Sequence, residues 1–102
     1  MTDLELQLLT ILRDSGKLHG LEMGQRIEQR FERLVGAGSL YRTLHRLEHR
    51  GLVRATWEEE PKGHRGPPRR YYEITGTGAG SLEEGIRNAT ASLRRLSVLP
   101  KT

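Results

Sequence analysis

A run of cationic and hydrogen-bonding side chains lies on one side of a helix that the sequence predicts from about Ala37 to Arg50. Because successive helical residues turn by about 100°, part of this run points away from the leucines of the same helix. Those residues are Arg42, His45, Arg46 and His49. Guanidinium groups can donate in pairs to guanine edges or to phosphates, while Ser39, Tyr41 and the imidazole of His45 can bond phosphate oxygens. Many surface helices share this pattern, so the helix alone does not establish binding to DNA.

A second group of positive charges lies in segment 58–69, which is rich in Gly and Pro and changes from acidic to basic along its length. On either side, residues 52–57 and 70–75 alternate apolar and polar side chains as half-buried strands do. We therefore predict a hairpin with a long cationic tip. Its candidate DNA-binding residues are Lys62, His64, Arg65, Arg69 and Arg70. Such a loop gains binding free energy when counterions leave DNA, although many basic loops are only solvated.

The elements before the hairpin are three short helices. The first is predicted to begin at a capping box of Thr2 and Glu5 and to end at about Asp14, the second follows Gly20, and Gly51 ends the third. Three helices followed by a hairpin are the order of the winged helix-turn-helix. We predict an α+β, mainly α fold, with a winged helix-turn-helix domain over residues 1–78 and a dimerisation helix and tail over 79–102.

Two apolar patterns predict a homodimer. Hydrophobic residues make up only 34% of the chain, so its own core is modest. The first helix carries apolar side chains on two opposite sides, and a capping box at Ser81 and Glu84 precedes a heptad-like seam in the last helix. The predicted interface consists of Leu6, Leu9, Leu82, Ile86, Ala89, Leu93 and Leu96.

The composition excludes several kinds of chemistry. The chain has 102 residues, no cysteine, a formal charge of +4 and a pI near 10.0, which rules out thiolate metal sites and suits a polyanionic partner. His45 and His49 lie one helical turn apart, but no other ligand motif completes a metal site, and Arg46 repels cations. Nothing resembles a nucleophile elbow or a phosphate-binding glycine loop. We therefore predict a protein that is not an enzyme and binds no metal or cofactor.

The beginning of the chain is acidic, and no apolar stretch is long enough for a signal peptide or a membrane span. We expect a cytoplasmic protein without contact with a membrane.

The aromatic residues of the two strands have both a structural and a functional interpretation. Tyr71 and Tyr72 could stack on bases, but strand alternation sends them to opposite faces, which favours Tyr72 in the core. Trp57 is interpreted as a packing residue at the end of a strand. Near a groove between subunits, its ring could instead stack on a flat effector.

Four motifs occur together and in this order along the chain: Leu4-Glu5-Leu6, Leu18-His19-Gly20-x-Glu22, Gly38-Ser39-Leu40-Tyr41-Arg42-Thr43-Leu44-x-Arg46-Leu47-Glu48-x-Arg50-Gly51-Leu52-Val53 and Arg70-Tyr71-Tyr72-x-Ile74-Thr75-x-x-Gly78. With this combination, the sequence resembles the PadR family of bacterial transcriptional regulators. The resemblance implies a dimeric repressor with DNA contacts from the third helix and the wing, dimer contacts from the first and last helices, and in some members release by small aromatic compounds. Ser39, Tyr41, Arg42 and Arg46 match the recognition helix, and Lys62, Arg65 and Arg69 fall in the wing.

The chain departs from the family pattern at a few positions. Leu21 stands where the family commonly has Tyr, and Gly36-Ala37 replaces a common Ser-Pro helix start. Gly76, Gly80 and Gly85 are expected to loosen the last helix, which resembles that of members with one short C-terminal helix.

The leading hypothesis is a homodimeric repressor that binds an inverted-repeat operator in double-stranded DNA. The alternative is an adaptor that keeps the winged helix but binds a partner protein through the terminal helix, without specific recognition of DNA. A third possibility is a sensor of a small aromatic effector whose pocket lies between the terminal helices.

Overall fold

The computed structural model describes residues 1–59, 63 and 65–97. The helices are α1 (Asp3–Ser15), α2 (Gly20–Phe31), α3 (Ala37–His49) and α4 (Gly76–Ser97), and the strands are β1 (Leu18–His19), β2 (Val53–Trp57) and β3 (Arg70–Ile74). The predicted order of three short helices, a hairpin and a terminal helix is confirmed.

The sheet has three strands in the described residues, where the sequence predicts two. β3 is central and pairs antiparallel with both β1 and β2. In the short strand β1, Leu18 lies opposite Tyr72 and His19 lies opposite Tyr71. Two residues carry no periodicity, so only the pairing with β3 makes this segment a strand. His19 also begins α2, because its imidazole accepts a hydrogen bond from the backbone N–H of Glu22.

The helix α1 is central to the subunit and contacts α2, α3, α4 and β3. Its predicted capping box is present: the N–H of Glu5 donates to the Thr2 hydroxyl at 3.2 Å, and the N–H of Thr2 donates to the Glu5 carboxylate at 2.9 Å. Both apolar sides of α1 are covered, since Leu8 and Leu9 are fully buried and Leu6 contacts α4 at Gly85. The second apolar side therefore packs on a helix of the same subunit.

The helix α4 begins at Gly76, so the start predicted from Ser81 and Glu84 is wrong. The start is instead stabilised by Thr75, whose hydroxyl accepts a hydrogen bond from the N–H of Gly78 at 3.0 Å. The helix therefore crosses the predicted domain boundary after residue 78.

The same hydroxyl of Thr75 donates to the carbonyl of Gly51 at 2.7 Å, and so ties the start of α4 to the end of α3. Gly51 has the positive φ of 75° expected of a helix-ending glycine, and its N–H donates to the carbonyl of Glu48 at 2.9 Å. A Cβ at Gly78 would overlap the carbonyl oxygen of Leu52. The junction of α3, β2 and α4 is therefore closely packed.

Candidate nucleic-acid interface

The helix α3 has one buried face and one exposed face. Leu40, Leu44 and Leu47 are buried, and Thr43 lies among them with its hydroxyl donating to the carbonyl of Ser39 at 2.8 Å. This packing fixes the rotation of the helix about its axis. The side chains it turns outwards are Ser39, Tyr41, Arg42, His45, Arg46 and His49.

The two arginines of this exposed face lie close to their own helix. The guanidinium of Arg46 donates to the Thr43 hydroxyl at 3.2 Å. The guanidinium of Arg42 lies beside Gly38, where a Cβ would come within 3.2 Å of its Nη1 atom. Among the residues that the structure describes, none forms an ion pair with Arg42 or Arg46. Both cations therefore remain available to an external anion.

Tyr41 stands at the edge of the exposed face and is 48% exposed. Its ring packs against Gly20 at the start of α2, where a Cβ would overlap the ring. The sequence analysis missed this contact, although a glycine at the first position of a helix is a signal of a close neighbour. The absence of a side chain at Gly20 therefore leaves the space that the ring of Tyr41 occupies.

A cleft separates the exposed face of α3 from the outer ends of strands β2 and β3. Its lining includes Tyr41, Arg42, His45, Arg46, Trp57 and Arg70. The structure thus brings four candidate residues of the helix and Arg70 of the hairpin to one surface, whereas Ser39, Arg65 and Arg69 do not line this cleft.

The outer part of the wing is described only in part. Lys62 and His64, two of the predicted DNA-binding residues, lie outside the described residues. Arg65 is exposed and Arg69 is half-buried, while the N–H of Glu58 donates to the carbonyl of Arg69 at 2.8 Å and extends the hairpin beyond its last strand pair.

Arg70 differs from the other predicted DNA-binding residues because its guanidinium already has partners within the protein. One amino group donates to both carboxylate oxygens of Glu48, at 3.2 and 2.9 Å, and the guanidinium lies 4.9 Å from the centre of the Trp57 ring. Glu48 was not among the predicted site residues. The spacing of α3 places it at the flank of the leucine stripe, where a charge needs a nearby partner.

The tyrosines of β3 occupy opposite faces, as predicted. Tyr72 is only 4% exposed and lies in the core, and burial raises the pKa of its phenol, although the neighbouring Arg70 opposes that shift. Tyr71 is half-buried and lies edge-on to the ring of His19, with the ring centres 5.5 Å apart. Neither tyrosine is presented as a stacking platform.

The end of α3 is held to the start of α1 by an ion pair. The guanidinium of Arg50 donates to the carboxylate of Glu5 at 3.0 Å. Burial alone would raise the pKa of Glu5, but hydrogen bonds from Thr2 and the charges of Arg50 and Arg46 outweigh it, so that pKa is lowered.

The predicted dimer residues do not share one environment. Leu9 and Leu82 are 0% exposed and belong to the core of the subunit, so they have no surface to offer a partner, and their placement in the interface needs correction. Leu6 is half-buried against α4. The remaining four lie along the exposed side of α4: Ile86, Ala89, Leu93 and Leu96.

The described residues contain no group of three or more side chains suited to hold a metal ion. No described helix is both long enough and apolar enough to cross a membrane.

Three short helices with an antiparallel hairpin beside the third define a winged helix-turn-helix. Residues 8–84 match the model of the transcriptional regulator PadR-like family, and the chain belongs to that family. It is accordingly a DNA-binding transcriptional regulator and not an enzyme, as the sequence predicts. A comparison with curated protein sequences finds no match.

Solved structures of several transcriptional regulators share the fold. A transcriptional regulator from Clostridium thermocellum is 22% identical, with 95% of this chain and 92% of that chain covered and a TM-score of 0.80. A PadR family regulator from Clostridium difficile is 20% identical, with coverage of 94% and 96% and a TM-score of 0.78. A PadR-like transcription factor from Bacteroides fragilis is 28% identical, with coverage of 92% and 85% and a TM-score of 0.76.

Proposed function

We propose that this protein is a homodimeric repressor that reads an inverted-repeat operator in double-stranded DNA. The observation that carries the proposal is the exposed face of α3, which presents Arg42, His45 and Arg46 next to a cationic hairpin. A helix with this face fits the major groove, and the adjacent wing can reach the backbone or the minor groove.

Each side chain has a distinct part in this proposal. Arg42 and Arg46 donate to guanine edges, because a planar guanidinium matches the two acceptors that guanine presents in the major groove. Ser39, Tyr41 and His45 bond phosphate oxygens and set the register of the helix on DNA. Lys62, Arg65 and Arg69 of the wing supply further cationic contacts, and His64 supplies a hydrogen-bonding group.

The dimer part of the proposal rests on the exposed side of α4. Ile86, Leu93 and Leu96 are 40%, 66% and 65% exposed, and they follow one another at heptad spacing around Ala89. Such a continuous apolar row along a helix is covered in most soluble proteins, and a second copy of the same helix is the occupant we propose.

The charges of α4 favour an antiparallel arrangement of the two copies. Glu83 and Glu84 precede Ala89 by as many residues as Arg95 and Arg94 follow it. A two-fold axis at Ala89 therefore brings the acidic end of one helix beside the basic end of the other, and places Ala89 next to the partner's Ala89.

Repression follows from occupancy in this proposal. A dimer that covers an operator next to a promoter excludes other proteins from the same DNA. Because a transcription regulator acts on the chromosome, we place it in the cytoplasm, with the DNA contacts in residues 1–78 and the dimer contacts in residues 79–102, which hold the dimerisation helix and the tail.

The DNA contacts can be tested with the double variant Arg42→Ala/Arg46→Ala. The loss of two base contacts of about 1–3 kcal/mol each should weaken binding to the best site, selected from a random DNA pool, by at least about 30-fold. The matched control is Arg26→Ala/Arg33→Ala, which removes two charges that lie against α1 through Ser15 and Gln7.

Equal losses of affinity in the two double variants would show that charge alone drives binding and would refute base readout by α3. If the variant Arg42→Ala/Arg46→Ala keeps the sequence preference of the parent, base readout by α3 is likewise refuted. A reporter gene behind the selected site tests repression, because expression should fall when the protein is present.

The dimer arrangement can be tested by cross-linking, since the chain has no cysteine of its own. Ala89→Cys should form a disulfide with the partner's copy under mild oxidation. Leu96→Cys should not form one. In the antiparallel arrangement, this position and the same position of the partner lie roughly 20 Å apart along the helix axis, at a rise of about 1.5 Å per residue. Cross-linking of both variants would indicate parallel helices, because every core residue then faces its own copy, and a monomer in sedimentation would refute the dimer.

Release by a small aromatic effector is a further part of the proposal. The cleft beside α3 contains the exposed Trp57 as well as Arg42 and Arg46, and so suits a flat aromatic anion that would compete with DNA. Trp57 is the single tryptophan of the chain, so its fluorescence reports occupancy directly. Compounds that quench it without releasing DNA would contradict this mode of release.

The adaptor hypothesis predicts binding that hardly responds to salt. Membership in a family of DNA-binding regulators favours the DNA-binding alternative, for which affinity falls steeply as salt rises.

A further inference from the structure

Three side chains from three elements meet where the wing leaves the body of the protein. Glu48 belongs to α3, Trp57 is the last residue of β2, and Arg70 is the first residue of β3. The guanidinium of Arg70 donates to the Glu48 carboxylate at 2.9 and 3.2 Å and lies 4.9 Å from the centre of the Trp57 ring. We name this cluster the wing clamp.

We propose that the wing clamp sets the angle between the recognition helix and the wing, and that Arg70 is a positioning residue and not a DNA contact. This inference rests on the proposed DNA contacts of α3 and the wing. It assigns a role to Glu48, an acidic residue beside a surface that must accept a polyanion.

The position of the clamp in the hairpin supports this role. Trp57 and Arg70 form the outermost residue pair of the two strands. Beyond them, the described residues add one backbone hydrogen bond, from the N–H of Glu58 to the carbonyl of Arg69. A side-chain contact at this last strand pair sets the direction in which the two strands leave the body of the protein. A contact nearer the core would not do so.

Burial and charge make the contact more than a surface ion pair. The side chains of Glu48 and Arg70 are each 30% exposed, so the pair is shielded from much of the solvent that weakens exposed pairs. The ring of Trp57 covers one face of the guanidinium, and Tyr72 lies against it from the core side.

The chemistry of arginine suits this combination of contacts. A planar guanidinium can stack on an indole ring and donate to a carboxylate at the same time. A lysine at this position would keep the charge but could not fill both roles. The clamp therefore depends on the shape of the Arg70 side chain as well as on its charge.

Substitution of Glu48 separates positioning from simple electrostatics. Removal of a negative charge next to DNA should by itself raise affinity. In the clamp mechanism, Glu48→Gln instead weakens the hold on the wing by removing the charge, and affinity for the selected site should fall about tenfold, which is about 1.4 kcal/mol. Unchanged or tighter binding by Glu48→Gln would overturn the proposal.

Substitution of Arg70 is compared with that of its neighbour, Arg69. Both Arg70→Gln and Arg69→Gln remove one positive charge from the wing. A lost phosphate contact reduces the salt dependence of binding by about one ion, and this is the result expected for Arg69→Gln. Arg70→Gln should lower affinity with no change in salt dependence, and a reduction like that of Arg69→Gln would show that Arg70 contacts DNA.

The variant Arg70→Lys keeps the positive charge. It controls for the possibility that Arg70→Gln binds weakly because it does not fold. It should fold as the parent does, with at most a slightly lower thermal stability, but bind the site about as weakly as Arg70→Gln. Parent-like affinity of Arg70→Lys would show that charge alone matters at this position. Failure of the underlying DNA-binding surface is recognised separately, because then the parent itself would show no sequence preference.

Discussion

The heptad-like seam of α4, from Leu82 to Leu96, runs through two halves of the helix that have opposite environments. The inner half, Gly76–Gly85, packs into the subunit, with Leu82 fully buried and Gly85 in contact with Leu6 of α1. The outer half, Ile86–Leu96, keeps its leucines about two-thirds exposed. A heptad pattern therefore specifies that a helix face must be covered, but not whether the cover belongs to the same chain.

The difference arises from whether α1 covers each half of α4. The inner half of α4 packs along α1, whose N-terminal part carries Leu6, and the outer half continues beyond that contact. The inner half is consequently a part of the fold, and the outer half is available for assembly.

The largest contrast is expected from one substitution made in each half. Leu82→Ala leaves a cavity in the core and should lower the free energy of unfolding by about 2–5 kcal/mol. Leu93→Ala should change the unfolding of the subunit by less than about 0.5 kcal/mol. Denaturant titration of dilute protein measures both, and sedimentation should show that only Leu93→Ala weakens the dimer selectively. Equal destabilisation would remove the distinction between the halves.

A smaller contrast lies within the inner half, at two glycines of one helical turn. A Cβ at Gly78 would overlap the backbone oxygen of Leu52, whereas one at Gly80 would meet no atom within 4 Å. Gly78→Ala should therefore destabilise the fold by about 1–3 kcal/mol, and Gly80→Ala should stabilise it by up to about 1 kcal/mol. Thermal unfolding of the pair measures the difference, and the same sign for both would contradict this packing.

The smallest expected effect is a loss of stability at low pH. It concerns carboxylates of α1, the helix on which the inner half of α4 packs. Hydrogen bonds from Arg13 and Arg30 lower the pKa of Asp14 to about 2, and the pKa of Glu5 is lowered as well. Groups with a lowered pKa in the folded state stabilise it above their unfolded pKa and lose that contribution as pH falls through the folded value. The free energy of unfolding should therefore decline below about pH 4.5, close to the ordinary carboxyl value.

The variant Asp14→Asn provides the control for this acid effect. It should be less stable than the parent near neutral pH and should lose less stability between pH 4.5 and 2. A pH profile that matches the parent would show that Asp14 makes no contribution. Titrations in denaturant at a series of pH values measure this difference.

Periodicity and local capping predicted most of the fold. The leucines of α3, the box at Thr2 and the ending at Gly51 are local signals, and the structure confirms each of them. The strand at Leu18 and the start of α4 were missed or misplaced, because both depend on partners distant in sequence. Thr75 becomes a helix start only through contacts that include Gly51.

The part of the candidate site that lies on the exposed face of α3 could be predicted from the sequence. The outward direction of Arg42 and Arg46 follows from the spacing of the leucines alone. The pairing of Arg70 with Glu48 does not, since it joins a strand to a helix across the fold. From sequence, an arginine in a basic wing is interpreted as a contact for DNA, and only the structure shows that its charge is engaged.

The hydroxyl of Thr75 holds the start of α4, so a small rotation there would move the far end of the helix by a larger distance. The same hydroxyl joins the end of α3 to the start of α4, the helix that would hold the second subunit. In the proposed dimer, a change of angle at this pivot is amplified along α4 and shifts one recognition helix relative to the other. Thr75 would then determine which spacing of operator half-sites the dimer fits, although this residue lies outside both the proposed DNA surface and the proposed dimer surface.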